Sequence, residues 1–325
     1  MIHRSDHFND GGSCVGRLNS ELSKTVEIGR GSFGAVLRAK FDADGQYYAV
    51  KQTRKVISGP VDLQHRLQEV YALSVCNHPN LLRYFDSWIE DKSVFVRTEW
   101  VSGGQILKHA PQPWSQQKLC DLLKQMSMAL HWLHSCNIAH LDVKPENILV
   151  AVCKDGVLVY KLGDFGLAQR IEDTPDGTGE YFQGQNDDDG DARYLCPFAM
   201  ASMCNRGKLG VEADIYALGA SVVELMGGIP ELVRKKDYGR NFENRQMYTE
   251  EFCDLIRWMT EHEPSRRPSS FLVLQTVVDM ELELYYPHQQ ARVKSTLAAR
   301  RNTIDQLRQE LDNLNRETDS PPCAQ

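Results

Sequence analysis

The sequence predicts an α+β chain of two lobes, a small antiparallel β lobe followed by a larger helical one. Three observations carry that prediction. From Ser23 to about Val101, short runs of β-branched and aromatic residues alternate with turns. Beyond Gly103 the apolar residues recur at helical spacing. A length of 325 residues suffices for one large domain or two lobes sharing a cleft. The strand-like runs are KTVEIGRG, AVLRAKF, QYYAVKQT and SVFVRTEWV. One helix is expected among them, VDLQHRLQEVYALSVC, with apolar residues at Leu63, Leu67, Val70 and Leu73 or Val75. The helical part then runs through QKLCDLLKQMSMALHWLHS, VEADIYALGASVVELM and TEEFCDLIRWMTEH. The loop HLDVKPENILV, from His140 to Val150, falls near the junction, and clefts between lobes are where ligands bind.

Composition narrows the function classes. Apolar content of 42% and charged content of 25% are those of a globular protein. A net charge of -7 argues against a nucleic-acid partner, because phosphate backbones are held by clustered Lys and Arg. Nine scattered cysteines with no C-x-x-C pair point to a reducing compartment and away from a disulfide frame or a zinc site. The polar start gives no signal peptide, and no apolar run approaches a membrane span, so a soluble intracellular chain with no membrane partner is expected. The expected organisation is a flexible segment 1–22, a catalytic domain 23–272, a helical extension 273–317 and a flexible tail 318–325.

Four features carry chemistry. The first is IGRGSFGAV, with Gly29, Gly31 and Gly34 between two strands, where bare backbone can approach phosphates. A dinucleotide-binding loop would lead into a helix; AVLRAKF continues as a strand, so that reading fails and a plain hairpin remains beside the phosphate loop. The second is Lys51 in YAVKQ. A lysine on an apolar strand needs a paired charge, and a nucleotide phosphate and Glu69 are its natural partners; a solvent-facing lysine is the plainer alternative. The third is HLDVKPEN. Asp142 can take the proton of an attacking hydroxyl, Lys144 can neutralise charge on a transferring phosphoryl group, and Asn147 can hold magnesium. The fourth is KLGDFG, whose Asp164 lies 22 residues beyond Asp142 and would be the main metal ligand. In this order and on these elements, the four match the protein-kinase signature set.

From about Lys24 to Phe271 the chain resembles a eukaryotic protein-kinase domain, in the Wee-type branch of cell-cycle inhibitory kinases. The branch is carried by EVYALSVCNHPNLLRYFDSWIED, by HLDVKPEN, and above all by GDARYL after the metal-binding loop; the tail run LRQELDNLN also resembles segments that follow Wee-type domains. The resemblance implies a bilobal kinase fold, ATP and Mg2+ as cofactors, and phosphorylation of a tyrosine in the glycine loop of a cyclin-dependent kinase. That substrate would be met with its cyclin, in the nucleus or also the cytoplasm. It implies an adenine site between Ile28, Val36 and Ala49, with backbone hydrogen bonds from Glu99 and Val101 and Thr98 guarding the back pocket. His140, Asp191, Arg193 and Asp214 would shape the catalytic loop and substrate platform, Asp214 holding the loop's backbone from a helix below.

Leu141 stands where many kinases place an arginine that binds an activation-segment phosphate, so that switch is expected to be absent. The segment instead carries the acidic run DDDGD, where a further phosphate would be repelled. A pairing of Asp191 with Lys144 is expected to re-aim the lysine for a tyrosine substrate, the alternative being that Asp191 caps a turn. Two departures stand out. Phe198 replaces the usual platform glutamate, so Arg267 should lack its usual partner, and Phe165 stands where animal Wee-type enzymes tend to have leucine. In the tail, Leu297, Ile304 and Leu311 are seven apart but Arg300 breaks the stripe, which leaves weak self-association behind docking of a single helix. A serine/threonine kinase, such as the translation-factor kinases that share a YFDSWIE-like stretch, is the alternative function. A dead scaffold is disfavoured by the presence of Lys51, Asp142, Asn147 and Asp164.

Overall fold

The computed structural model describes residues 16–31, 34–53, 70–75, 77–109, 112–153, 155–171, 179–180, 191–197, 199–200, 208–238 and 245–285. The chain divides into two units, Met1–Gln275 and Thr276–Gln325. The first opens on a five-stranded antiparallel sheet of β1 (Leu22–Gly31), β2 (Gly34–Phe41), β3 (Tyr47–Thr53), β4 (Tyr84–Glu90) and β5 (Ser93–Glu99), in the order β1-β2-β3-β5-β4. The expected runs supply β1, β2, β3 and β5; the strand that the sequence reading did not single out is β4, YFDSWIE. Of the helix expected over 61–76, the described residues 70–75 are helical.

Strand periodicity sorts the two faces of this sheet. Successive side chains point to opposite sides, so Tyr48 and Val50 of β3 go one way and Ala49 and Lys51 the other. Val50 joins Leu22, Ala39, Trp88 and Phe95 in a buried cluster. On the opposite face, register sets Val36 beside Lys51, Lys51 beside Val96 and Ala49 beside Thr98. Gly34 starts β2 at φ 149°, and a Cβ there would lie 1.9 Å from the Gln52 carbonyl oxygen. The tight hairpin needs glycine at that position for steric reasons alone.

The segment expected to be flexible up to Leu22 is instead built onto this sheet from residue 16. Helix α1 (Arg17–Glu21) sets Leu18 against the buried cluster. Arg17 bonds Asp86 at 2.6 Å and lies over the Trp88 ring at 4.7 Å, while the Leu18 N–H donates to Glu90. Asp86 also accepts two hydrogen bonds from Arg97 at 2.9 Å. The anchors come from β4 and β5, far along the chain, so a five-residue helix with little stability of its own is held by tertiary contacts.

The helical part of the unit is organised around α2 (Gln116–Ser135), capped by Ser115, and α3 (Glu212–Leu225). α2 buries Leu119, Leu122, Leu123, Met126, Leu130 and Leu133, one stripe at helical spacing. α3 is buried on nearly all sides and packs on α5 (Glu250–Met259), with the short α4 (Pro230–Arg234) between them in sequence. Two antiparallel pairs frame the chemistry: β6 (Ile138–Ala139) with β9 (Gln169–Arg170), and β7 (Ile148–Val152) with β8 (Leu158–Leu162). The loop His140–Asn147 hangs between β6 and β7, and Asp164 follows β8. A further pair joins β10 (Gly179–Glu180) to β11 (Lys208–Leu209). Helix α6 (Ser270–Tyr285) carries the chain into the second unit, whose described residues are 276–285. The sequence boundary at 272 therefore falls inside a helix, and the heptad stripe with its self-association lies outside the described residues. Among the described residues, no helix is long and apolar enough to cross a membrane.

Candidate active site

A cavity of about 490 Å³ opens between the β sheet and the catalytic loop. Its walls include Ile28, Gly29, Val36, Ala49, Lys51, Thr98, Glu99, Val101, Asn147 and Asp164, all expected from the sequence. Among the described residues Gly34 does not line it, and Glu69 lies outside the described residues. The sequence reading missed Leu149 and Glu146; Leu149 sits on β7 directly after the loop, and the apolar alternation there was the available signal. The Glu99 carboxylate is engaged by Lys161 at 2.8 Å and by the Arg83 N–H at 2.8 Å, so its side chain is committed away from a ligand.

Lys51 Nζ lies 2.7 Å from Asp164 Oδ1 across this cavity, and the same oxygen accepts the Gly166 N–H at 3.3 Å. Burial pushes the Asp164 carboxyl up, but the Lys51 charge and hydrogen bonds outweigh it and hold the group below its ordinary value. Asp164 is thus ionised and adopts φ 57°, a left-handed backbone that a non-glycine residue holds only where its surroundings enforce it.

The catalytic loop is tied together by its own side chains. Lys144 Nζ lies 2.9 Å from Asp142 Oδ1, and Asn147 Nδ2 donates to both the carbonyl and Oδ2 of Asp142 at 2.7 Å. Burial is the main influence on Asp142 and raises its pKa, opposed by Lys144. A raised but charge-compensated carboxylate is a better proton acceptor than an ordinary aspartate. From below, Asp214 accepts the N–H groups of His140 at 2.8 Å and Leu141 at 2.7 Å, and meets His134 Nε2 at 3.0 Å. Leu141 is buried at φ 62°, so where an arginine is common the loop has an apolar plug. His140 Nδ1 accepts the Asp142 N–H and its Nε2 donates to the Gly163 carbonyl, which requires the neutral ring; burial lowers its pKa accordingly.

The expected pairing of Asp191 with Lys144 is not formed. Lys144 is bonded to Asp142, and Asp191 accepts the Arg193 N–H at 3.1 Å and its guanidinium at 2.7 Å. The turn-capping alternative is the observed one, because a partner two residues away is reached at far smaller entropic cost. Arg267 is also better provided for than the sequence suggested. Its guanidinium donates to the carbonyls of Glu261, Glu212 and His262 at 2.7, 2.8 and 2.9 Å, so main-chain oxygens serve where a glutamate was expected. Phe198 itself lies outside the described residues.

The cavity suits a nucleotide on its own features. It has an apolar wall of Ile28, Val36 and Ala49, a Lys51–Asp164 charge pair, and a buried acceptor, Glu146 Oε2, without a hydrogen-bond partner among the described residues. Magnesium favours one or two carboxylates together with substrate phosphates, and Asp164 with the Asn147 amide oxygen is such a donor set. Residues 22–278 match the protein kinase domain family. The chain is similar to Wee1-like protein kinase 1-B of Xenopus laevis (29% identical, over 91% of this chain and 49% of that one). It is also similar to the Wee1-like protein kinases of Oryza sativa subsp. japonica (32%, 81% and 48%) and Arabidopsis thaliana (29%, 80% and 50%). The chain spans about half the length of the relatives it matches. A family match over most of the chain, on a cleft lined by Lys51, Asn147 and Asp164 with Asp142 bonded to Asn147, makes this chain a member of the protein kinase family, similar within it to Wee1-like kinases.

Proposed function

We propose that this chain is an ATP-dependent tyrosine kinase acting on the glycine loop of a cyclin-dependent kinase with its cyclin bound, in the nucleus. The observation that carries the reading is the Asp142 carboxylate, clamped by Lys144 and Asn147 beside the Lys51–Asp164 pair. The tyrosine and cell-cycle part rests on the Wee-type run GDARYL and on the similarity to Wee1-like kinases.

The mechanism follows from what each group can do. Bound ATP with magnesium supplies the phosphoryl group and the charge that neutralises it. Asp142, aimed by Asn147 and balanced by Lys144, accepts the hydroxyl proton of the substrate. Lys144 balances that carboxylate and stands beside the developing negative charge. Lys51 and Asp164 stand as an opposite-charge pair in the cavity, where the lysine would meet phosphate oxygens and the carboxylate would hold magnesium. His140 and Asp214 fix the loop backbone, and the apolar wall of the cleft keeps water away from the adenine side.

A serine/threonine kinase is the second reading, and one observation favours it: Lys144 points at Asp142 and is not drawn aside by Asp191. Phosphoamino-acid analysis of a cyclin-dependent kinase–cyclin complex after incubation with the chain separates the two. Phosphotyrosine in the glycine loop is expected. Phosphoserine or phosphothreonine alone overturns the tyrosine assignment, and no transfer to any acceptor overturns the kinase assignment.

A further inference from the structure

Arg193 sits among three carboxylates. Its Nε and Nη2 grip Asp191 at 3.0 and 2.7 Å, Nη2 also reaches Glu146 Oε1 at 2.7 Å, and Nη1 lies 3.7 Å from Glu224 Oε1. Its guanidinium carbon lies 4.9 Å from the centre of the Tyr194 ring, and the Tyr194 hydroxyl donates to Glu224. Glu146 belongs to the catalytic loop, four residues after Asp142, and lines the nucleotide cavity. Glu224 belongs to the last turn of α3. Among the described residues, Arg193 is the one basic side chain within ion-pair distance of either glutamate.

Taken without Arg193, Glu146 and Glu224 form an acidic cradle next to the catalytic carboxylate, lined on one side by an aromatic ring. Two carboxylates and a ring face are what a guanidinium seeks. We propose that Arg193 is a specificity-determining residue, whose guanidinium fills from within the chain a cation site that would otherwise take a basic side chain of the protein substrate. The Asp191 turn holds Arg193 in place, so the occupant is intramolecular and a substrate arginine has to compete with a tethered one. Selection then works by exclusion: substrates that rely on a basic residue near the acceptor gain nothing here. The inference rests on the protein-kinase reading above but not on the choice between tyrosine and serine.

The test uses tyrosine and serine acceptor peptides, each as a parent and with single arginines at successive positions on either side of the acceptor. Wild type is expected to gain nothing from any arginine. In Arg193→Ala the kcat/KM ratio of the best arginine peptide to its parent should rise roughly tenfold, about 1.4 kcal/mol, and Glu146→Gln added to it should abolish the gain. A flat ratio in Arg193→Ala, or an arginine preference already present in wild type, overturns the proposal. Methylguanidinium, with methylurea as the uncharged control, gives a readout that needs no turnover. It should raise the melting temperature of Arg193→Ala and not that of wild type; no selective rise overturns the proposal as well. An arginine gain confined to serine peptides would sink the tyrosine assignment and support this one. If wild type transfers to no peptide, the kinase reading fails and the methylguanidinium melts decide this proposal alone.

Discussion

Helix α3 holds the site at both of its ends, and the two attachments differ in kind. Near its start, the fully buried Asp214 binds backbone N–H groups of the catalytic loop. In its last turn, Glu224 meets side chains, Tyr194 and Arg193, and Arg193 remains 38% exposed. The first attachment is shielded from water and salt. The second is a solvent-touched charge network, where individual pairs are worth little and only their number and geometry give them weight. The catalytic loop is thus tied to buried backbone, while the platform beside it is held by side chains open to solvent. Neither attachment uses an arginine at position 141 or a phosphate.

Breaking the buried attachment should have the largest effect. Asp214→Ala leaves the His140 and Leu141 N–H groups buried without their acceptor, at a cost of about 3–5 kcal/mol in unfolding free energy. Denaturant titration checks this, and a loss under about 1 kcal/mol would mean that the loop is held by something else. Next, Lys51→Met should lower kcat by roughly 10²–10³ while the melting temperature stays near that of wild type, since this pair serves the cavity more than the core. Near-normal turnover would remove Lys51 from the mechanism.

A smaller effect should appear with pH. Burial holds His140 below its ordinary value, so the unfolded chain binds a proton that the folded one refuses. Stability is therefore complete above the unfolded value of about 6.5 and is lost as pH falls below it, by at most about 1.4 kcal/mol per pH unit for one such group. His78 and His262, also lowered mainly by burial, add in the same direction. His140→Phe should flatten the acid limb by close to one proton, and an unchanged limb would show that His140 is not the main contributor.

The candidate site residues could be picked out in the sequence because phosphoryl transfer calls for particular side chains at short, fixed spacings. Asp142, Lys144 and Asn147 lie within one loop, and Lys51 sits on a strand whose alternation shows which way it faces. The features that escaped depend on partners distant in sequence or on the main chain. Nothing local marks Arg17 as a ligand of Asp86, or the Glu261, Glu212 and His262 carbonyls as ligands of Arg267. Asp191 escaped for the opposite reason: a reach toward Lys144 was expected, and the neighbour two residues away won.

The central claim is that the site is assembled without activation-segment phosphorylation, through Asp214 and Arg193 in place of a phosphate bound at position 141. The direct test is the rate of phosphatase-treated protein against untreated protein on the same tyrosine substrate. Treated protein should keep its rate, within the range of about 1–100 per second typical of kinases. A tenfold or greater loss, restored by rephosphorylation at Thr174, Thr178 or Tyr181, would contradict the claim.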